Sequence, residues 1–238
     1  MGRAFEYRKA TKMKRWAGMA RTFTKIGKEI AIAVKESGPD PNNNPRLRAA
    51  IQNSKQANMP KANIENAIKR ATSKDSENYS EVVYEGYGPH GVAFLVETTT
   101  DNPTRTVANV RLYFNRAGGS LGTNGSVEFM FVRKAVFRIK SEGMNLEDLE
   151  LELIDFGLDE LRQEEEEILI LTAFTDFGMM QKALDEKGLD VLSMEFQRVP
   201  NITKKLNDDE VEDLIKLIDR MEDDEDVQNV FTTMDMSE

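Results

Sequence analysis

The sequence predicts an α+β protein: an N-terminal three-helix module followed by two ferredoxin-like α/β domains, the second inserted in the first. Three observations carry this expectation. Apolar residues recur at helical spacing between Phe23 and Ala71. Residues 135–199 read as strand, helix, strand, strand, helix, strand, the split-βαβ order. A helix and a strand then remain at the end of the chain without a sheet of their own, and such a pair cannot bury its apolar faces alone. The expected domains are residues 1–76, a discontinuous α/β domain of 77–133 with 203–238, and an inserted domain of 134–202.

The first 74 residues hold 17 Lys and Arg against 5 Asp and Glu, a net of +12, whereas the whole chain carries −10. A cationic head on an acidic body points to a polyanionic partner for the head, with the body keeping the molecule soluble. Within the head, Gly2 to Met19 has many cations and few apolar residues, and reads as an arm that orders on a partner. Phe23, Ile26, Ile30, Ala33 and Val34 form one helical stripe, which Ser37-Gly38-Pro39 ends. Asn44 before Pro45 reads as an N-cap, and Pro60 opens a third helix carrying Ile64, Ala67, Ile68 and Ala71. The candidate nucleic-acid contacts are Arg3, Arg8, Lys9, Lys12, Lys14 and Arg15 on the arm. On the helices they are Arg21, Lys25, Lys28, Lys35, Arg46, Arg48, Lys55, Lys61, Lys69 and Arg70. No helix shows a clear base-reading pattern, so phosphate contact by charge and shape is expected. With about six contacts, log affinity should fall with log salt at a slope of about −4 to −5. Joint charge reversal at Lys25, Lys28 and Arg48 is expected to remove binding without unfolding the acidic domains.

The middle of the chain opens with two β-rich runs, Val82–Tyr87 and Val92–Glu97, around the turn Gly88-Pro89-His90-Gly91. A helix then starts near Pro103 and ends at Gly118, and Val127, Phe129 and Phe131 alternate as a further strand. The loop Gly118–Gly125 follows a helix and opens a strand, the reverse of a phosphate cradle, and reads as a flexible turn. In the inserted domain the strands are 135–139, 158–162, 168–171 and 191–199. Their helices are capped by Asn145 and ended by Gly157 and Gly188. Asn207 caps the last helix, and 227–234 is the last strand; the pair should return to the first sheet, with a terminal helix packed only on the inserted domain as the alternative. The acidic runs Glu164–Glu167 and Asp223–Asp226 read as solvated turns rather than cation sites.

Residues Tyr84 to Pro89, Gly91-Val92-Ala93, Thr100-Asp101-Asn102, Arg105-Thr106-Val107-Ala108 and Gly118 to Gly122 resemble the YebC/PmpR family. Arg21 to Lys35, Pro60 to Ile64 and Ala67-Ile68 do so too. The resemblance spans nearly the whole chain. It implies a helical N-terminal domain and two α/β domains, one inserted in the other. It also implies a cytosolic transcriptional regulator that binds DNA. Relatives are described as translation factors at the ribosome, including a mitochondrial translational activator. This chain departs from the pattern where Gly2-Arg3-Ala4-Phe5-Glu6 replaces the family's frequent Gly-His-Ser-Lys-Trp opening, and where His90 stands third in the usual Gly-Pro-Gly-Gly turn.

With no cysteine and one histidine, thiolate metal sites, disulfides and Cys nucleophiles are excluded, and little remains to build an active site. The expectation is a non-enzymatic, cytoplasmic regulator of transcription or translation, with no cofactor, no metal, no membrane contact and no small-molecule substrate. Its partner is DNA, or ribosomal RNA read by shape.

Overall fold

The computed structural model describes residues 19–73 and 78–235. Among them lie seven α-helices and two four-stranded antiparallel sheets. They form two compact units, one of residues 19–32, 78–132 and 200–235, the other of 33–73 and 133–199. Residues 1–18, the expected arm with its cations, lie outside the described residues.

Helix α1 (Met19–Ser37) ends where Gly38 takes φ 84° and its N–H bonds to the Val34 carbonyl at 2.8 Å. This is the left-handed stop that glycine adopts without a Cβ penalty. Asn44 begins α2 (Pro45–Gln56) by accepting from the Leu47 N–H, while its amide donates to the Ala33 and Gly38 carbonyls. One side chain thus satisfies both a helix start and the preceding helix end. Helix α3 (Lys61–Ala71) follows Pro60 and buries Ile64 and Ala71.

In the first unit β1 (Ser80–Tyr87) and β2 (Ala93–Thr100) form a hairpin, followed by α4 (Pro103–Arg116) and the two-residue β3 (Ser120–Leu121). The sheet order is β3-β1-β2-β8, with β8 (Val227–Thr232) at the end of the chain. The expected return of the last strand is therefore found: β8 pairs antiparallel with β2, Val230 opposite Val96. Phe94 and Val96 face Phe114, Val110, Leu214 and Met221 of the helices. Ala93 and Leu95, pointing the other way as strand alternation requires, meet Val127 and Phe131. Burial on both faces makes β2 the centre of the unit.

One expected strand is corrected. Val127–Phe131 does not run as a strand of the first sheet: Glu128–Met130 is a 3-10 turn, and only Phe131 enters a strand, β4 (Phe131–Lys140). The sheet's third strand is instead Ser120–Leu121. Sequence alternation failed here because a tertiary contact bends the backbone. The buried Glu85 carboxylate accepts from the Gly125, Val127 and Glu128 N–H groups at 2.6, 2.7 and 2.8 Å. The same contacts correct the flexible-turn reading of Gly118–Gly125, whose far end is pinned. Its near end is close-packed: a Cβ on Gly119 would lie 2.4 Å from the Tyr87 carbonyl oxygen.

In the second unit β4, α5 (Leu146–Leu153), β5 (Leu158–Glu164), β6 (Glu167–Ala173), α6 (Phe177–Glu186) and β7 (Val191–Pro200) give βαββαβ with sheet order β5-β6-β4-β7. This is the ferredoxin-like arrangement. Phe137 stacks on Phe177 in a core with Ile139, Leu153, Ile170 and Leu184. Helix α2 joins this core through Ala49. Its Asn53 amide donates to the Met194 carbonyl and accepts from the Met194 N–H, and Gln52 donates to the Val191 carbonyl. These side-chain amides satisfy backbone groups of the edge strand β7, which would otherwise offer unpaired hydrogen bonds. Helix α7 (Asp208–Glu222) closes the first unit with a capping box of Asn207 and Glu210.

Candidate nucleic-acid interface

Arg21, Lys25 and Lys28 stand at positions i, i+4 and i+7 of α1 and so share one helix face. That face lies on the loop after α7. Arg21 pairs with Asp223, and Lys25 donates to the Glu222 carbonyl at 2.9 Å. Lys28 is 7% exposed, and its ammonium bonds Asp226 at 2.7 Å and the Glu225 and Thr99 carbonyls at 3.0 and 3.2 Å. The expectation that Lys28 is an exposed cation is therefore corrected. A basic stripe meets an acidic run nearly 200 residues later in the chain, so complementarity of charge replaces display of charge.

Asp226 is the centre of this network. Besides Lys28, its carboxylate accepts from Arg105 at 2.7 Å, Thr106 at 2.8 Å and Thr100 at 3.2 Å. Burial alone would raise its pKa, but the hydrogen bonds from Lys28, Arg105 and Thr106 outweigh it and hold the carboxyl at about 2, below its ordinary 3.8. Asp224 accepts from Tyr113 and Asn109. The reading of Asp223–Asp226 as a solvated turn is thus overturned, because the loop locks α1, α4 and β2 together. A depressed carboxyl pKa contributes stability that is fully present above pH 4 and is lost as pH falls through 2. The shift corresponds to about 2 kcal/mol. Acid titration of stability should show this loss in the wild type and not in Asp226→Asn, so the gap between the two should close between pH 4 and pH 2. A constant gap would refute the assignment.

The remaining helix cations divide into two groups. Arg48 donates to the Pro41 and Asn42 carbonyls and to Gln181 Oε1, so it fastens α2 to its own entry loop and to α6. Arg46 pairs with Glu36 at 3.0 Å. Charge reversal at Lys28 or Arg48 would therefore disturb the fold and cannot serve as a clean binding test. Lys35, Lys55, Lys61, Lys69 and Arg70 are exposed. Lys61 is 3.7 Å from Glu65, a separation at which an exposed pair contributes little. Lys55, in the last turn of α2, and Lys69 and Arg70, in the last turn of α3, have no carboxylate partner among the described residues.

His90 sits in the turn Pro89–Gly91 at φ 59°, its Nε2 3.2 Å from Asp213 and its Nδ1 3.6 Å from Glu210. Arg138 lies 3.7 and 3.5 Å from Glu164 and Glu167, at the two ends of the acidic turn. Among the described residues no helix is long and apolar enough to cross a membrane.

Two family models match this chain. Residues 3–74 match the TACO1/YebC protein N-terminal domain, and residues 79–234 match the TACO1/YebC second and third domain. The chain belongs to the TACO1/YebC family. Curated relatives include a "Probable transcriptional regulatory protein" of Parabacteroides distasonis, 59% identical over 98% of this chain and 97% of that protein. Another of the same description, from Porphyromonas gingivalis, is 60% identical with the same coverage. The crystal structure of a conserved hypothetical protein of Aquifex aeolicus superposes with a TM-score of 0.80 at 35% identity, covering 91% of this chain and 90% of that one. The family's fold of a helical N-terminal part and two α/β parts is the fold described above.

Proposed function

We propose that this protein is a cytoplasmic, non-enzymatic regulator of gene expression that binds DNA through phosphate contacts from its N-terminal helical segment. The observation that carries the reading is the set Lys55, Lys69 and Arg70: exposed, without carboxylate partners among the described residues, on a chain of net charge −10. Lys35, Lys61 and the arm cations Arg3, Arg8, Lys9, Lys12, Lys14 and Arg15 add to the same attraction. Lys25, Lys28 and Arg48 hold the fold and leave the contact set, while Arg21, half exposed in its pair with Asp223, stays within it. The relatives' description as transcriptional regulatory proteins supports the DNA reading.

The triple variant Lys55→Glu/Lys69→Glu/Arg70→Glu is expected to keep its thermal midpoint and to lose about 100-fold in affinity for duplex DNA. Its salt slope should be shallower by about 3, one unit for each lost phosphate contact. Fluorescence anisotropy across a salt series reads both quantities. Unchanged affinity would refute the interface. Exclusive co-sedimentation of the wild type with ribosomes would move the partner from DNA to ribosomal RNA while leaving the cation assignment intact.

A further inference from the structure

Within the first unit, α4 packs beside α7, and its Asn109 and Tyr113 donate to Asp224 in the loop that follows α7. Between them runs a groove of about 450 Å³. Its apolar part comes from buried Leu217 and from half-buried Ala117 and Tyr113. Its charge comes from three exposed cations, Arg116 in the last turn of α4 and Lys216 and Arg220 one turn apart on α7.

Partnering decides what this groove offers. Arg116 and Arg220 have no carboxylate partner among the described residues, although residues 75–238 hold 37 Asp and Glu against 15 Lys and Arg. Lys216 pairs only with Glu212 and Asp213 of its own helix, with its side chain 66% exposed. Such exposed pairs within one helix are weak and yield to a better acceptor. The one acid lining the groove, Asp213, is also engaged by His90 Nε2 at 3.2 Å. Tyr113 donates to Asp224, and burial together with that bond pushes its phenol up to about 12, so it adds no negative charge near neutral pH.

We propose that the α4–α7 groove is a binding site for the phosphate of a nucleotide, distinct from the contacts proposed at Lys55, Lys69 and Arg70. Two guanidinium groups and an ammonium supply the forked donors that phosphate oxygens accept. The apolar part beside them suits the sugar or base that a bare inorganic anion lacks. That nucleotide is either a unit of a bound polynucleotide or a free mononucleotide, and the two sources share this chemistry.

The test uses the full chain and two probes: AMP by titration calorimetry, and a fluorescein-labelled single-stranded RNA by anisotropy over a salt series. Arg116→Ala/Arg220→Ala is compared with wild type and with Lys55→Glu/Lys69→Glu/Arg70→Glu. Circular dichroism should show all three equally folded, since none of these side chains holds a carboxylate. The arginine variant is expected to lose at least about 10-fold for RNA and to lower its salt slope by about 1.4, two single-strand phosphate contacts. It should also lose measurable AMP binding, whereas the α2–α3 variant should bind AMP as wild type does. Loss of AMP with RNA unchanged keeps the site and makes its ligand a free nucleotide. Loss of RNA alone keeps it and makes the ligand polymeric. If the arginine variant matches wild type on both probes, or wild type binds neither, the groove is not a phosphate site. Failure of the α2–α3 variant to weaken RNA would count against the interface proposed above and leave the groove untouched.

Discussion

Lys28→Ala is expected to destabilise the protein by about 3 kcal/mol, read as a lower urea midpoint at unchanged slope. The ammonium is buried, and deletion leaves Asp226, 3% exposed, with a carboxylate that has lost one of its two cations, and leaves the Thr99 and Glu225 carbonyls without that donor. Arg105 and Thr106 still bond Asp226, which keeps the cost at the low end of what breaking a buried pair incurs. Lys28→Met/Asp226→Asn should recover part of the loss, because neither uncompensated charge remains. A loss under 1 kcal/mol in Lys28→Ala would mean that α1 is not held by this contact.

Glu85→Ala should cost about 4 kcal/mol. Glu85 is 4% exposed and is the acceptor for three backbone N–H groups of the loop before β4. Each orphaned buried donor costs about 1–3 kcal/mol, reduced where water can enter. Glu85→Gln keeps one carbonyl acceptor but turns an NH₂ toward donors, and should fall between wild type and alanine. Amide exchange localises the effect: Gly125, Val127 and Glu128 should lose protection first. Equal protection of these amides in Glu85→Ala and wild type would show that the loop is fixed by something else.

Local signals made most of the fold legible. Asn44, Asn145 and Asn207 each cap the helix their position announces, and of Asp101 and Asn102 before Pro103 it is Asn102 that caps, because a cap depends on residues within one turn of it. The return of β8 to the first sheet was expected because a last helix and strand without a sheet of their own had apolar faces to bury. What stayed hidden depends on partners distant in sequence. Val127, Phe129 and Phe131 alternate as a strand would, yet Glu85 bends them. Lys28 reads like any surface lysine until Asp226 is placed against it. The signal that could have found this pair was the matching of a basic stripe at 21, 25 and 28 with the acidic run at 222–226. Arg116 and Arg220 gave no such hint, since each reads as a favourable charge at a helix C-terminus. Only packing of the two helices brings them to one groove.

The seating of β8 beside β2 also sets an order of events during synthesis. Strands β4 to β7 are contiguous in the chain, so their sheet can close while later residues are still being added. The hairpin of β1 and β2 has no such freedom: the neighbour of β2 is made last, together with the α7 side chains Leu214 and Met221 that cover Phe94 and Val96. Until then a nascent polypeptide carries an apolar strand with one open flank, the kind of surface on which folding intermediates aggregate. A ribosome that stalls before residue 227 therefore leaves a half-built domain in need of a chaperone.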